Sequence, residues 1–147
     1  MDLGKKLRDI EFGLKSEEVE LPNLKLIFGS NLVKTSNQYA LFDFQGDNLY
    51  VELKTRRESF NKYSYQKLIG KNKIDEALRL WNENQTKCYF LFKYDEGTWY
   101  WLFNKDQYDN GEVQIKYLGR TDRGIDERKD ECVIHPSLLK PLSTLVL

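Results

Sequence analysis

A chain of 147 residues, 40% apolar and 14% aromatic, has enough hydrocarbon for one proper core and is not a largely disordered polymer. Its 23 basic and 23 acidic side chains cancel, which argues against a protein that coats nucleic acid by bulk attraction. Two cysteines without CxxC spacing and a single histidine, His135, argue against zinc sites and histidine catalysis, so Cys88 and Cys132 read as buried, reduced thiols of an intracellular protein.

In chain order, Met1 to Leu14 reads as a short amphipathic helix interrupted at Gly13. Its charged start lacks the apolar run of a secretory signal, and no stretch approaches the length of a membrane span. Ser16-Glu17-Glu18 reads as the start of a second helix, with serine as N-cap and acids in the first turn. Pro22 then falls early enough to be tolerated, and Leu24 to Phe28 continues the apolar face.

Tyr39 to Arg57 reads as a β-hairpin turned at Gln45-Gly46-Asp47-Asn48. Leu49, Val51 and Leu53 point one way, and Tyr50, Glu52 and Lys54 the other. A turn centred on Gly46-Asp47 sets Phe44 opposite Leu49 and Asp43 opposite Tyr50. Asp43 and Glu52 then share a face as diagonal neighbours, roughly 7–8 Å apart at Cα. A slip of one residue would send Asp43 to the other face.

Asn61 to Gly70 reads as a turn or helix entry, and Lys71 to Asn84 as a helix with Ile74, Ala77, Leu78 and Trp81 as its core stripe. Cys88 to Tyr94 and Thr98 to Phe103 form a second hairpin around Asp95-Glu96-Gly97, whose aromatics serve core packing before base stacking. Val113 to Leu118 adds a strand, Gly119 to Gly124 a loop, and the two-proline tail from Val133 docks against the sheet. No repeat or linker divides the chain, so residues 1–147 read as one domain.

Two carboxylates and a lysine on one face of a hairpin can hold a divalent cation and a phosphate together. Hard oxygen ligands select Mg²⁺ or Mn²⁺, and Asp43, Glu52 and the backbone carbonyl of Leu53 are the candidate protein ligands. Lys54 lies two residues beyond Glu52, where it can orient a water and stabilise charge on phosphorus. Between Lys54 and Lys73 seven basic residues face one acid, Glu58. That surplus makes Arg56, Arg57, Lys67, Lys71 and Lys73 candidate phosphate contacts, with Arg120 and Arg123 of the later loop beside them.

Asp43 followed by Glu52-Leu53-Lys54 resembles the PD-(D/E)xK nuclease superfamily, with Phe42 where the motif's name has proline. The resemblance implies a central mixed β-sheet flanked by helices, an α/β (α+β) fold with the αβββαβ restriction-endonuclease-like core. The layout is also similar to small nucleases of phages and large DNA viruses. It implies a Mg²⁺-dependent phosphodiesterase acting on nucleic acid, DNA before RNA, without membrane association and with a homodimer left open. From the family pattern, Glu17 is the helical acid that touches the metal site, with Glu18 and Glu20 as alternatives. Gln66 and Lys73 lie where related nucleases place assisting polar groups, and Arg56 and Tyr65 are candidates for holding the strand.

Two other readings stand beside this one. A module of the same fold without catalysis would bind nucleic acid and not metal. A structural protein would use the aromatic second hairpin as its contact surface. A glycosidase would also use two carboxylates, but Lys54 has no task there.

Overall fold

The computed structural model describes residues 3–35, 41–56, 67–118 and 129–147. Helix α1 (Leu3–Phe28) is followed by three strands, β1 (Val33–Lys34), β2 (Phe44–Gly46) and β3 (Leu49–Thr55). Strand β4 (Lys67–Gly70) runs straight into α2 (Lys71–Asn84), and β5 (Lys87–Tyr94) and β6 (Gly97–Leu102) form a hairpin. Then come α3 (Lys105–Asp109), β7 (Gln114–Leu118), β8 (Lys129–Ile134) and β9 (Lys140–Pro141). Among the described residues no helix is long and apolar enough to cross a membrane.

Six strands form one mixed sheet in the order β1-β2-β3-β5-β6-β9. Only the β3–β5 pair is parallel, and the crossover between them carries α2. This is the expected mixed α+β, restriction-endonuclease-like architecture. Leu24 and Phe28 of α1 pack on one sheet face with Phe44, Val51, Tyr89 and Leu91. Ile74 and Ala77 of α2 pack on the other with Phe90, Phe92 and Trp101. Leu142 and Leu145 of the tail join the α1 side. A second, three-stranded sheet, β4-β8-β7, adds Ile69, Cys132 and Ile134 to the α2 side. Both cysteines are buried and free, and burial pushes each thiol up to about 12.

Three local expectations change. The two N-terminal helices are one: α1 runs unbroken through Gly13, and Ser16 is an interior residue rather than a cap. Gly13 stands in open space, so it weakens the helix by roughly 1 kcal/mol against alanine without ending it. Pro22 therefore lies deep in the helix. It and Glu18, whose carbonyl loses its usual donor, are both exposed, and water can serve that carbonyl. Along α1 an i, i+4 ridge of Phe28, Leu24, Glu20, Ser16 and Phe12 crosses the sheet obliquely, as such ridges do. Leu3, Leu7, Ile10 and Leu14 on the far side remain exposed.

The first hairpin is offset by two residues from the expected register. Phe44 pairs with Val51 and Gly46 with Leu49, so the loop is Asp47-Asn48, with Asn48 at φ 50°. Gly46 serves close packing: a Cβ there would come 3.1 Å from Leu49 and 3.4 Å from Leu32. An even offset preserves the face, and it brings Asp43 level with Glu52 instead of diagonal to it.

The segment expected as a turn or helix entry before Lys71 ends as strand β4, paired with β8. Helix α2 as a whole carries three basic and three acidic side chains, so the basic surplus reaches only its first turn, at Lys71 and Lys73.

Candidate functional site

Strand β3 is central, paired along one edge with β2 and along the other with β5, while α1 packs on one of its faces and α2 on the other. On the α2 side Glu52 is only 1% exposed, between the half-buried Tyr50 and Lys54 of the same strand face. A buried carboxylate is tolerated only when paired. Lys73, in the first turn of α2, makes an ion pair with Glu52 Oε2, and Lys54 Nζ lies 3.6 Å from the same oxygen. Glu52 Oε1 is buried with no hydrogen-bond partner among the described residues. Such an orphaned acceptor costs about 1–3 kcal/mol, and its presence calls for an explanation.

Asp43 is held at both ends. Its side-chain Oδ2 accepts the Leu53 N–H at 2.8 Å, and its carbonyl accepts the Thr35 N–H at 2.9 Å and the Thr35 hydroxyl at 3.0 Å. Glu17 reaches the same place from the middle of α1, buried, and shares a side-chain hydrogen bond with Asp43. Two carboxyls can share a hydrogen bond only if one carries the proton. Burial first, then the bond to Asp43 and its charge, push Glu17 up to about 8, while Lys34 and Lys73 oppose the rise. Lys34 Nζ lies 3.9 Å from Glu17. Glu17 is thus an interior helix residue facing the site, not an acid of a first turn.

Both lysines beside Glu52 lose some hold on their protons. Lys54 is lowered by burial and then by Arg56, with the charge of Asp43 opposing. Lys73 is lowered by burial, with Asp43 opposing and Lys129 adding to the effect. One pocket of charge therefore gathers Glu17 from α1, Asp43 from before β2, Glu52 and Lys54 from β3, and Lys73 from α2.

The other candidates are more dispersed. Leu53 offers its N–H to Asp43 and buries its side chain on the α1 side. Arg56 is exposed, with its guanidinium 3.4 Å from the Thr55 carbonyl. Lys71 is engaged by Asp75 at 2.8 Å. Lys67 lies on β4, and its side chain is outside the described residues, as are Arg57, Tyr65, Gln66, Arg120 and Arg123 altogether.

Three contributors were not foreseen: Lys34 beside Glu17, Thr35 beneath Asp43, and Lys129, whose charge reaches Lys54 and Lys73 from β8. A lysine or threonine at the end of a two-residue strand carries no period or motif that would mark it. Among the described residues no three His, Cys, Asp or Glu side chains form a ready-made cation cage.

Comparison with protein families matches residues 24–141 to the family described as "Phage putative PDDEXK endonuclease". The match includes Asp43, Glu52, Lys54 and Lys73 and begins after Glu17. Comparison with the curated proteins and with the solved structures gave no match. With most of its length covered by that one family and a restriction-endonuclease-like sheet beneath the charged pocket, the chain belongs to the phage PDDEXK endonuclease family, among the PD-(D/E)xK nuclease-like phage proteins.

Proposed function

We propose that this protein is a Mg²⁺- or Mn²⁺-dependent nuclease that hydrolyses phosphodiester bonds in DNA. The observation that carries the reading is Glu52, a buried carboxylate with one oxygen on Lys73 and the other without a partner among the described residues.

The donor set fits a hard divalent cation. Glu52 Oε1 has no hydrogen-bond partner among the described residues, and the Glu17–Asp43 pair needs a proton to offset its charge. Asp43, Glu52 and the Leu53 carbonyl would hold the ion, with Glu17 close by. Two carboxylates with water completing the shell is the arrangement Mg²⁺ favours. When bound, the ion polarises the scissile phosphate and lowers the pKa of a coordinated water.

The chain's own residues supply the rest. Lys54, on the same strand face as Glu52, orients the attacking water and donates to the phosphate oxygen as charge develops. Its lowered proton affinity makes it a better proton donor. Lys73 keeps Glu52 ionised and directed into the pocket. Leu53 and Thr35 fix Asp43 before any substrate arrives.

The test is cleavage of labelled single-stranded, duplex and branched DNA with Mg²⁺, Mn²⁺ or EDTA, with RNA as a further substrate and Asp43→Ala protein as the contamination control. Wild type should cut only with metal. Lys54→Ala should cut at least ~10²-fold more slowly with its fold intact by circular dichroism, a loss of the size expected for a proton-transfer group. Wild-type cutting by that variant would remove Lys54 from the mechanism.

A further inference from the structure

Around the end of β3 from the charged pocket lies a second feature that the nuclease chemistry does not use. A cleft of about 500 Å³ opens between the middle of α1 and the carboxyl ends of β3 and β5. Phe12, Ser16 and Val19 form its helical wall, spaced i, i+4, i+7 on one face of α1. Thr55, Arg56 and Lys93 form the strand wall. The hydroxyls of Ser16 and Thr55 meet across it at 2.6 Å.

Its chemistry is mixed in a particular way. Val19 is 59% exposed although it faces a concave surface, so this apolar wall is built but not filled by the described residues. Cations surround it: Lys15 on the helix and Arg56 on the strand side, with Lys93 held by Glu20. Asp95 is the one acid among the described residues of the lining. Apolar and aromatic surface ringed by cations suits a nucleobase attached to its phosphate, the combination single-strand binders use. The volume lies within the roughly 300–1,000 Å³ of small-ligand sites, which admits an unpaired nucleotide and not a stacked duplex.

Position supplies the second argument. Thr55 follows Lys54 and Ser16 precedes Glu17, so both walls are one residue, about 3.8 Å of backbone, from groups of the charged pocket. We infer that this cleft receives an unpaired nucleotide flanking the scissile phosphate, so that the substrate class is nucleic acid with a single-stranded segment such as a tail, flap or frayed end. The place of the scissile phosphate rests on the nuclease reading; the affinity of the cleft for single strands does not.

The experiment is fluorescence anisotropy of the full chain with labelled oligothymidine and with a blunt hairpin duplex, in EDTA and over a series of salt concentrations, alongside metal-dependent cleavage of the same molecules. Wild type should bind the single strand more tightly. Phe12→Ala should weaken single-strand binding about tenfold and Phe12→Trp should retain it, as stacking predicts. Lys15→Glu should weaken it and lower the salt slope by about one. The inference is overturned if Phe12→Ala and Lys15→Glu bind oligothymidine as wild type does, or if wild type prefers the blunt duplex. Cleavage by wild type with those variants unaffected would sink the cleft and leave the nuclease reading standing. The expected binding pattern without cleavage under any metal would do the reverse.

Discussion

Val51 and Glu52 lie on opposite faces of β3 and are buried alike, at 0% and 1% exposure, yet by opposite means. On the α1 side Leu49, Val51 and Leu53 meet Leu24, Phe28 and Leu91, and each such side chain contributes about 1.5–3 kcal/mol by leaving water. On the α2 side Glu52 and Lys54 sit with Lys73, and desolvating those charges consumes much of what their attraction returns. A hydrocarbon set of similar volume would hold this sheet at least as well. The charged face thus fits the proposed chemistry better than a role in stability, as does the Glu52 oxygen left without a partner among the described residues.

The largest expected effect comes from breaking the charged face on one side only. Lys73→Ala should cost about 3–5 kcal/mol in urea denaturation, because Glu52 loses its principal cover. Replacing both members, Glu52→Gln with Lys73→Met, should recover most of that loss while abolishing metal-dependent cleavage. Such a chain would carry two comparable faces. If the double variant is no more stable than Lys73→Ala, the pair supports the fold in its own right and the contrast fails.

Next is the pH dependence of Glu17. Its folded pKa, about 8, lies above the ordinary 4.5, so the native state holds a proton that the unfolded chain releases earlier. Stability from this group is present below about 4.5 and declines as pH rises through about 8, by a few kcal/mol at most at roughly 1.4 kcal/mol per unit. Glu17→Gln should flatten that decline in thermal melts taken from pH 5 to 9. A cation competes with the proton, so stabilisation of wild type by added Mg²⁺ should grow over the same range. A Mg²⁺ effect independent of pH would separate Glu17 from the proposed metal site.

The smallest effect belongs to the hydroxyl pair that ties α1 to the end of β3. Ser16→Ala should cost about 0.5–1.5 kcal/mol, the usual net worth of one hydrogen bond. A much larger loss in chemical denaturation would mean that α1 is held mainly by this contact and less by Leu24 and Phe28.

Much of the local structure was legible in the chain. The alternation from Leu49 to Thr55, the stripe of α2 and the hairpin of β5 and β6 are periods and turn signals contained within about ten residues, where backbone geometry alone imposes them. The motif Asp43, Glu52 and Lys54 was legible for the same reason, since one hairpin carries all three. Even the misplaced turn left Asp43 on the intended face, because an offset of two residues conserves the pleat.

What tertiary structure alone decided is the environment of those residues. The sequence shows a polar stripe on β3; only the parallel neighbour β5 and the crossover helix α2 remove it from water and set Lys73 upon Glu52. The sequence places acids at Glu17 and Asp43; only an unbroken α1 lying across the sheet makes them share a proton. Lys34 and Lys129 enter the field from β1 and β8, which come beside these residues only when the two sheets have packed. Backbone periodicity is local, whereas desolvation and charge pairing depend on which elements cover a face, and that is fixed only when the whole chain has packed.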